Sequence, residues 1–386
     1  MKNKSIMLQE KNMKALILSI TAGNGHNIAA RAIKEHLVEL GVDTVIKDTY
    51  KDFTHGMSTT IDKGYLFSTK YAPKLWGTAY SLAEERIDLE TDARFGTWGK
   101  LLVYRKLRKY VTENKFDIII ATHTAPAGFM TILKEDNVTD ARMYGIITDF
   151  TVHPFWEETN LDYYVTASKQ LHNMMAKKGI PQEKILPFGI PVAKKFESST
   201  PKEAAREQLG LKNKYTVFVI GGSMGFGAVK KHIRNLSMSD IDFQIVVVCG
   251  NNKKLKEDLE EMKISKDMKV FGFVNNIDLI MDAADCILTK PGGLTVSEAL
   301  AKNLPLILID PIPGQEDRNR DFLLNAGFAI STSKKFPADE AIYQLYTNNE
   351  RTQQILDMIN CSAPKNAGQR LGEFIVNEYK NNQSSR

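Results

Sequence analysis

Short apolar runs alternate along the chain with longer stretches in which apolar residues recur every three or four positions. The runs are too short for helices and are typical of buried strands, whereas the longer stretches predict amphipathic helices. Alternation of this kind favours right-handed crossovers and parallel sheets. The predicted strands cover residues 15–20, 44–47, 117–121, 142–148, 163–166 and 185–188, and then 215–220, 244–249, 269–273, 285–288, 306–309 and 328–331.

A charged, turn-rich segment at 192–200 separates the two series of strands, and Pro201 after Thr200 marks the start of a helix. A length of 386 residues also suits two domains. The pattern therefore predicts an α/β protein of two Rossmann-like, doubly wound domains that face a central cleft. We place an N-terminal domain at 1–191 and a C-terminal domain at 201–365, followed by a helix within 366–386 that we expect to pack back on the N-terminal domain.

Composition narrows the class of protein. Hydrophobic residues make up 43% and charged residues 25%, as in ordinary soluble proteins. The net charge of +5 does not by itself predict nucleic-acid binding, but it suits an anionic substrate or an anionic membrane surface. Cys249, Cys286 and Cys361 lie far apart, which argues against a zinc site or a disulfide framework and favours a reducing compartment. We find no signal-peptide core at the start and no run of about 18 apolar residues.

The stretch at 284–316 carries the richest chemistry. It predicts a strand, a Lys-Pro-Gly-Gly turn, a helix opening near Thr295, a second strand, and a loop with Gln315 and Glu316. Both polar loops follow strands, and open α/β sheets bind ligands beyond the carboxyl ends of their strands. We therefore expect both loops at the binding cleft.

Within this stretch, Gly292 and Gly293 let a ligand approach the backbone, and the N–H groups of the following helix favour an anion such as phosphate. Glu298, which we expect in the first helical turn, suits a diol such as ribose. The alternative is structural: the glycines form an ordinary tight turn, and the helix dipole favours the carboxylate of Glu298.

A first-half loop, TAGNGH, carries Gly23 and Gly25 and resembles a dinucleotide fingerprint. Ile28 occupies the place of the third glycine, however, which argues against a nicotinamide cofactor. His26 stands at the start of a helix, whose positive end disfavours the imidazolium, so we expect a neutral ring able to accept a proton. The alternative is that His26 caps its own helix.

A second-half loop repeats this design with Gly221, Gly222 and Ser223 after a strand, forming another cradle for phosphate. The run FGFVNN at 271–276 ends the next strand and could present its backbone and a ring to a nucleobase, or simply belong to the core. The DxD pattern of Asp240 and Asp242 precedes its strand, at the end remote from the cleft, and we interpret it as a solvated turn.

Five motifs in order resemble those of the monogalactosyldiacylglycerol synthase and processive diacylglycerol glucosyltransferase family: TAGNGHNIAARAIKEHL, ITDFTVHPFW, GGSMG, GFVNNIDLIMDAADCILTKPGGLTVSEAL and DPIPGQEDRN. The resemblance spans about 14 to 327. Members are inverting glycosyltransferases with the two-domain GT-B fold, related to the transferase that makes lipid II. The loop AGNGH departs from the three glycines of the family.

The resemblance implies site residues by position. His26 matches the general base and Asp149 a second catalytic position, while Gly25 and His153 lie on the acceptor side. Glu298 matches the acid that holds ribose. The other positions implied for donor binding surround phosphate, uracil or hexose and are Gly221, Gly222, Ser223, Phe273, Val274, Gly292, Gly293, Leu294, Thr295, Gln315 and Glu316.

The implied activity is transfer of a hexose from a UDP-sugar, UDP-glucose or UDP-galactose, to the hydroxyl of diacylglycerol or a similar lipid. UDP-sugar is then a substrate, and no cofactor or metal is expected. Two mixed aromatic and basic stretches suit an anionic membrane surface, and we expect a cytoplasmic, peripheral protein that does not bind nucleic acid. These stretches comprise Tyr65, Leu66, Phe67, Tyr71, Leu75, Trp76 and Tyr80 with nearby lysines, and residues 100–110.

Two other functions fit the same patterns. A UDP-sugar 2-epimerase would also need diphosphate loops, but it would surround the sugar with several carboxylates. A protein that only senses UDP-sugars would bind them without turnover. Release of the epimer without an acceptor would distinguish the first, and absence of turnover the second.

Overall fold

Two six-stranded parallel sheets organise residues 12–21, 25–53, 93–221 and 228–384, which are those that the computed structural model describes. The first sheet has the order β2-β1-β3-β4-β5-β6, with strands β1 Lys14–Ser19, β2 Asp43–Asp48, β3 Ile118–Ala121, β4 Arg142–Ile146, β5 Tyr163–Val165 and β6 Ile185–Leu186. The second has the order β12-β11-β10-β7-β8-β9, with strands β7 Thr216–Ile220, β8 Gln244–Val248, β9 Asp267–Phe271, β10 Cys286–Thr289, β11 Leu306–Leu308 and β12 Ala329–Ser331.

Helices connect the strands of both sheets. In the first half they are α1 Gly25–Glu39, α2 Ala93–Asn114, α3 Thr124–Glu135 and α4 His172–Lys177. In the second they are α5 Lys202–Gln208, α6 Val229–Ser237, α7 Lys253–Glu260, α8 Ile277–Ala283, α9 Gly293–Ala301, α10 Gln315–Asn325, α11 Ala338–Thr347, α12 Asn349–Ser362 and α13 Ala367–Ser384. The predicted α/β fold of two doubly wound sheets is confirmed, and every predicted strand has its counterpart.

The strands form where they do because their residues are apolar on both faces. Ile118, Ile119 and Ile120 are fully buried in β3, and β7 is buried along its whole length. Helices cover both faces of such a parallel sheet, so nearly continuous apolar runs are required rather than an alternating pattern. This is why the sequence alone predicts the strands.

Each sheet reverses its strand order at one place. In the first sheet the reversal lies between β1 and β3, and in the second between β7 and β10. Ligands of open α/β sheets bind at such switch points, beyond the carboxyl ends of the strands. His26 follows β1 in the chain, and the glycine pair at Gly292 follows β10, so these predicted site residues stand at the two switch points.

The last helix, α13, packs against the first sheet although it follows the second half in the chain. Leu371 and Ile375 are buried in the same core cluster as Ile17, Ile33 and Ile118. Close packing is visible at Gly368, where an added Cβ would lie 2.2 Å from the ring of His36. The core of the first half therefore includes side chains from both ends of the chain.

Within the described residues, no helix is both long enough and apolar enough to cross a bilayer. The three cysteines are free; Cys249 and Cys286 are buried and Cys361 is exposed.

Candidate active site

His26 lies at the start of α1, beyond the carboxyl end of β1. Its Nδ1 is 2.8 Å from the carbonyl oxygen of Thr122, which follows β3, and 3.2 Å from the hydroxyl of Thr148, which follows β4. A carbonyl oxygen only accepts hydrogen bonds, so the proton of the neutral ring resides on Nδ1. The lone pair of Nε2 is thereby free to accept a proton from a substrate. These contacts tie the ring of His26 to the loops after β3 and β4.

Two opposing effects set the charge of His26. Burial lowers its pKa below the usual value for histidine, while the negative charge of Asp149 and the hydrogen bond to Thr122 act in the opposite direction. Desolvation, rather than the helix dipole invoked from the sequence, is the principal cause of the neutral ring. A neutral ring beside a carboxylate is arranged to accept a proton and then to be stabilised as the imidazolium.

Two further histidines surround His26. His123 packs its ring edge-on against His26, with 4.7 Å between ring centroids, and accepts a hydrogen bond from Ala125 N as the N-cap of α3. Burial, with the nearby charges of His26 and His153, holds the pKa of His123 well below its usual value. The ring of His153 packs at a tilt against Phe155, and its Nδ1 caps the short 3-10 helix Pro154–Trp156. Three histidines from the loops after β1, β3 and β4 thus lie near one another.

Asp149, also from the first half, is held by side chains of the second half. Its carboxylate accepts hydrogen bonds from Gln315 Nε2 and, at 3.0 Å, from Asn319 Nδ2. Burial raises its pKa, and the two amides together with the positive form of His26 oppose that shift. The predicted catalytic residues His26 and Asp149 are thus brought together, and Asp149 is hydrogen-bonded to helix α10 of the second half.

Gly293, the second glycine of the pair at the start of α9, makes a close contact with the first half that the sequence does not predict. An added Cβ at Gly293 would lie 1.9 Å from the carbonyl oxygen of Thr148, whereas one at Gly292 would lie 4.0 Å from Glu316 Oε1. Gly293 therefore lacks a side chain because the backbone of the first half occupies that space. Next to it, Leu294 contacts Gly25, where an added Cβ would be 3.5 Å from Leu294 Cδ2.

A cleft of about 610 Å³ opens between the two halves beside this contact. Four of the predicted donor residues line it, and Phe273 among them is 69% exposed, so its ring is accessible from the cleft. The first half contributes Arg31 from α1. The four predicted residues in the lining are Phe273, Val274, Thr295 and Glu298.

Glu298 lies in the second turn of α9, one turn later than predicted, because the helix already begins at Gly293. Desolvation raises its pKa to about 8, opposed by the charge of Lys195 and reinforced by that of Asp278. Lys195, from the segment between the two halves, forms an ion pair with Asp278 at 3.1 Å. A carboxyl group desolvated in this way requires a hydrogen-bonding partner, and the open cleft leaves room for a ligand to supply one.

Gln315 and Glu316 begin helix α10 rather than ending a loop. Glu316 accepts a hydrogen bond at 2.7 Å from Ile312 N in its own loop, and Gln315 donates to Asp149. This bond to Asp149 uses one N–H of the Gln315 amide, so its carbonyl oxygen and its other N–H can bind further partners. Burial raises the pKa of Glu316, and the charge of Lys290 opposes the rise.

Lys290 directly follows β10 and is only 9% exposed. Its positive charge also helps to lower the pKa of Asp310, which receives hydrogen bonds from His232 and from Ala228 N at the start of α6. The second switch point thus combines a buried cation with the N-terminus of α9, an arrangement that attracts an anion.

Some predicted residues lie away from the cleft or outside the described ranges. Gly221 ends β7 at the switch point, while Gly222 and Ser223 lie outside the described residues, as do the aromatic residues between Tyr65 and Tyr80. Asp242, from the DxD pattern, pairs with Lys214 at 2.7 Å ahead of β8, away from the cleft. In the part of the chain that is described, no three acidic, histidine or cysteine side chains are grouped so as to hold a metal ion.

Sequence reasoning missed several residues of the site. His123 and Lys290 each stand just after a buried strand, and that position is a usable signal. Sequence reasoning does not single out Asn319, which is fully buried, or Lys195, which lines the cleft, because their contacts with distant segments form only in the folded chain.

Comparisons with known proteins find two matching families and several similar chains. Residues 26–192 match the family described as monogalactosyldiacylglycerol (MGDG) synthase, and residues 216–362 match the glycosyltransferase family 28 C-terminal domain. A processive diacylglycerol beta-glucosyltransferase of Bacillus cereus (strain B4264) is 33% identical over 340 residues, with 86% of each chain covered. One from Bacillus thuringiensis (strain Al Hakam) is 33% identical over 342 residues, again with 86% of each chain covered.

Similar solved structures include MurG of Acinetobacter baumannii, with a TM-score of 0.63 and 16% identity over 95% of this chain and 100% of that one. Another is HepE of Anabaena in complex with UDP-glucose, with a TM-score of 0.54 and 14% identity over 97% of this chain and 100% of that one. At these identities the likeness concerns the fold, which these proteins share with the present chain.

Proposed function

Because the chain belongs to the family of monogalactosyldiacylglycerol synthases and processive diacylglycerol glucosyltransferases, we propose that it transfers a hexose from UDP-glucose or UDP-galactose to the hydroxyl of diacylglycerol or a similar lipid. The product is a β-glycolipid formed with inversion at the anomeric carbon. One observation carries the proposal: Asp149, whose charge acts on His26, accepts a hydrogen bond from Gln315 at the start of α10, so the proposed base lies against the half that we propose binds the donor.

In the proposed reaction, Nε2 of His26 takes the proton of the acceptor hydroxyl as its oxygen attacks the anomeric carbon. The bond from that carbon to the diphosphate breaks, and its electron pair leaves with UDP. The carboxylate of Asp149 stabilises the imidazolium formed at His26, which the effect of Asp149 on the His26 pKa supports. Attack from the side opposite the leaving group inverts the anomeric centre.

The second half binds the donor in this proposal. The N-terminus of α9 and the buried Lys290 receive the diphosphate charge, which gives the departing UDP dipolar and cationic support without a metal ion. Glu298 accepts hydrogen bonds from ribose, and the exposed ring of Phe273 stacks on uracil. Gln315 offers its remaining amide groups to the hexose hydroxyls.

Helix α2 supports a membrane surface as the source of the acceptor. Its buried face carries Val103 and Leu107, whereas Leu101 and Leu102 are exposed, 38% and 45%, near exposed basic residues that include Arg105. Exposed leucines beside cations suit an interface with anionic lipid. We place the protein at the inner face of the cell membrane, where free cysteines also persist.

Replacement of His26 with Ala tests the proposed base. With UDP-glucose or UDP-galactose and diacylglycerol in anionic vesicles, we expect kcat to fall by about 100- to 10,000-fold, because one positioned base contributes about that factor. UDP affinity, measured by calorimetry, should stay within about threefold, since the ring lies on the acceptor side. His172→Ala, a histidine of α4 in the same half, is the matched control. Full activity of the His26→Ala variant would refute the role of base.

A further inference from the structure

The carboxamide of Asn319, on α10, joins three separate segments. Its Oδ1 accepts a hydrogen bond from Phe150 N at 2.9 Å, and its Nδ2 donates to Asp149 Oδ1 and to Pro291 O, each at 3.0 Å. The side chain is fully buried. Asp149 and Phe150 belong to the first half, whereas Pro291 precedes the glycine pair of the second half.

The network leaves a single orientation for this amide. The Phe150 N–H only donates, so it requires the carbonyl oxygen of Asn319, and the oxygens of Asp149 and Pro291 accept, so they require its two amide hydrogens. Both donors of the amide are therefore in use. Aspartate at this position would keep the acceptor but lose both donors, and leucine would leave all three partners unpaired in the interior.

Asn319 also connects helix α10 of the second half to the loop that carries Asp149, next to the proposed base His26. Its partner Asp149 acts on His26 through its charge, and the carbonyl of Thr148, one residue earlier, touches Gly293 across the cleft. Packing continues behind the amide, where the rings of Phe150 and Phe322 lie 5.5 Å apart between centroids. The loop that orients His26 is thus held by α9 and α10 of the other half.

We infer that Asn319 is a positioning residue that fixes Asp149 beside His26 and holds the halves in the arrangement in which the base meets the donor. It touches neither substrate in this assignment and acts through Asp149. The inference rests on the proposed function only in taking His26 as the base, since the hydrogen bonds themselves belong to the fold.

Kinetics of Asn319→Ala and Asn319→Asp provide the first test. We expect kcat for hexose transfer to fall about 100-fold, because a misplaced catalytic group costs about this factor. Calorimetric UDP affinity should stay within about threefold and will also report that the variants are folded. Asn325→Ala, on the exposed side of the same helix, is the matched control, because the Asn325 amide donates to Asp321 O within that helix. Retention of kcat within about twofold in both variants would overturn the inference.

Titration of His26 by NMR provides a second test that needs no turnover. Loss of the Asn319 amide removes a hydrogen bond that favours ionised Asp149, so the carboxylate is partly neutralised or displaced and supports the imidazolium less. The His26 resonance, assigned from its loss in His26→Gln, should titrate at lower pH in Asn319→Ala than in the wild type. An unchanged titration would overturn the positioning role. Failure of the wild type to glycosylate any lipid would instead refute the proposed function and leave this test intact.

Discussion

The two halves share one architecture but use their switch points differently. In the first half, the groups proposed to act are side chains: the ring of His26, at the switch point between β1 and β3, and the carboxylate of Asp149, which follows β4. In the second, between β7 and β10, the main features are the N-terminus of α9 and the buried Lys290. Side chains at the first suit proton transfer, and fixed positive charge at the second suits an anion. A single fold thus serves two tasks through the different groups placed at the ends of its strands.

The largest effect is expected from a variant that breaks the contact between the two halves at Gly293. Gly293→Ala places a Cβ where Thr148 O lies 1.9 Å away, so the halves must separate at the cleft. We expect kcat/KM for transfer to fall about 100-fold or more. Gly292→Ala, whose Cβ would find its nearest neighbour at 4.0 Å, is the control and should lose far less. Equal losses in the two variants would show that the contact is unimportant.

A second prediction compares exposed charge on the two halves. Replacing Arg105 and Arg108 of α2 with Gln should weaken binding to anionic vesicles by roughly thirtyfold, because each basic residue near such a surface contributes about 1 kcal/mol. Lys253→Gln with Lys254→Gln, exposed on α7 of the second half, removes the same charge and should change binding little. Vesicle sedimentation measures both. Similar losses would place the membrane surface elsewhere.

A third prediction concerns the pH dependence of donor binding. The pKa of Glu298 is raised to about 8, so the carboxyl group is largely protonated at neutral pH and becomes an anionic acceptor only as the pH rises through 8. Affinity for UDP-glucose should therefore increase between pH 7 and pH 9. Glu298→Gln should bind about tenfold more weakly at pH 9 and lose this dependence, because a hydrogen bond to a charged group is worth about 1.5 kcal/mol or more. Calorimetry at several pH values measures this affinity. If the affinity for UDP-glucose does not change with pH, Glu298 is not the hydrogen-bond acceptor for the donor.

The smallest expected effect concerns the exposed ring of Phe273. Stacking of a base on an aromatic side chain is worth about 1 kcal/mol or more, so Phe273→Ala should weaken UDP binding about fivefold while kcat changes little. Phe273→Tyr should bind nearly as well as the wild type. Weak binding of both variants would indicate that the position acts through the fold of the loop rather than through stacking.

The fold was largely predictable because parallel strands that are buried on both faces are nearly continuous runs of apolar residues, as at Ile118–Ala121. The position of a polar loop just after a strand likewise indicated that His26 lies beyond the carboxyl end of β1, whereas Glu298 lies one turn later in its helix than predicted. Sequence could not reveal Asn319 or Lys195, since their roles depend on contacts between segments far apart in the chain. Nor could it reveal that the missing side chain of Gly293 makes room for the backbone of the other half.

The return of helix α13 to the first sheet has a consequence for biosynthesis. Ile17, Ile33 and Ile118 share a core with Leu371 and Ile375, so their burial is complete only after α13 has been synthesised. During translation the first half therefore exposes an apolar surface until α13 is made. The strands of the second half are contiguous in the chain, so that half can already fold. A premature stop ahead of α13 would therefore leave that surface exposed to chaperones or proteases.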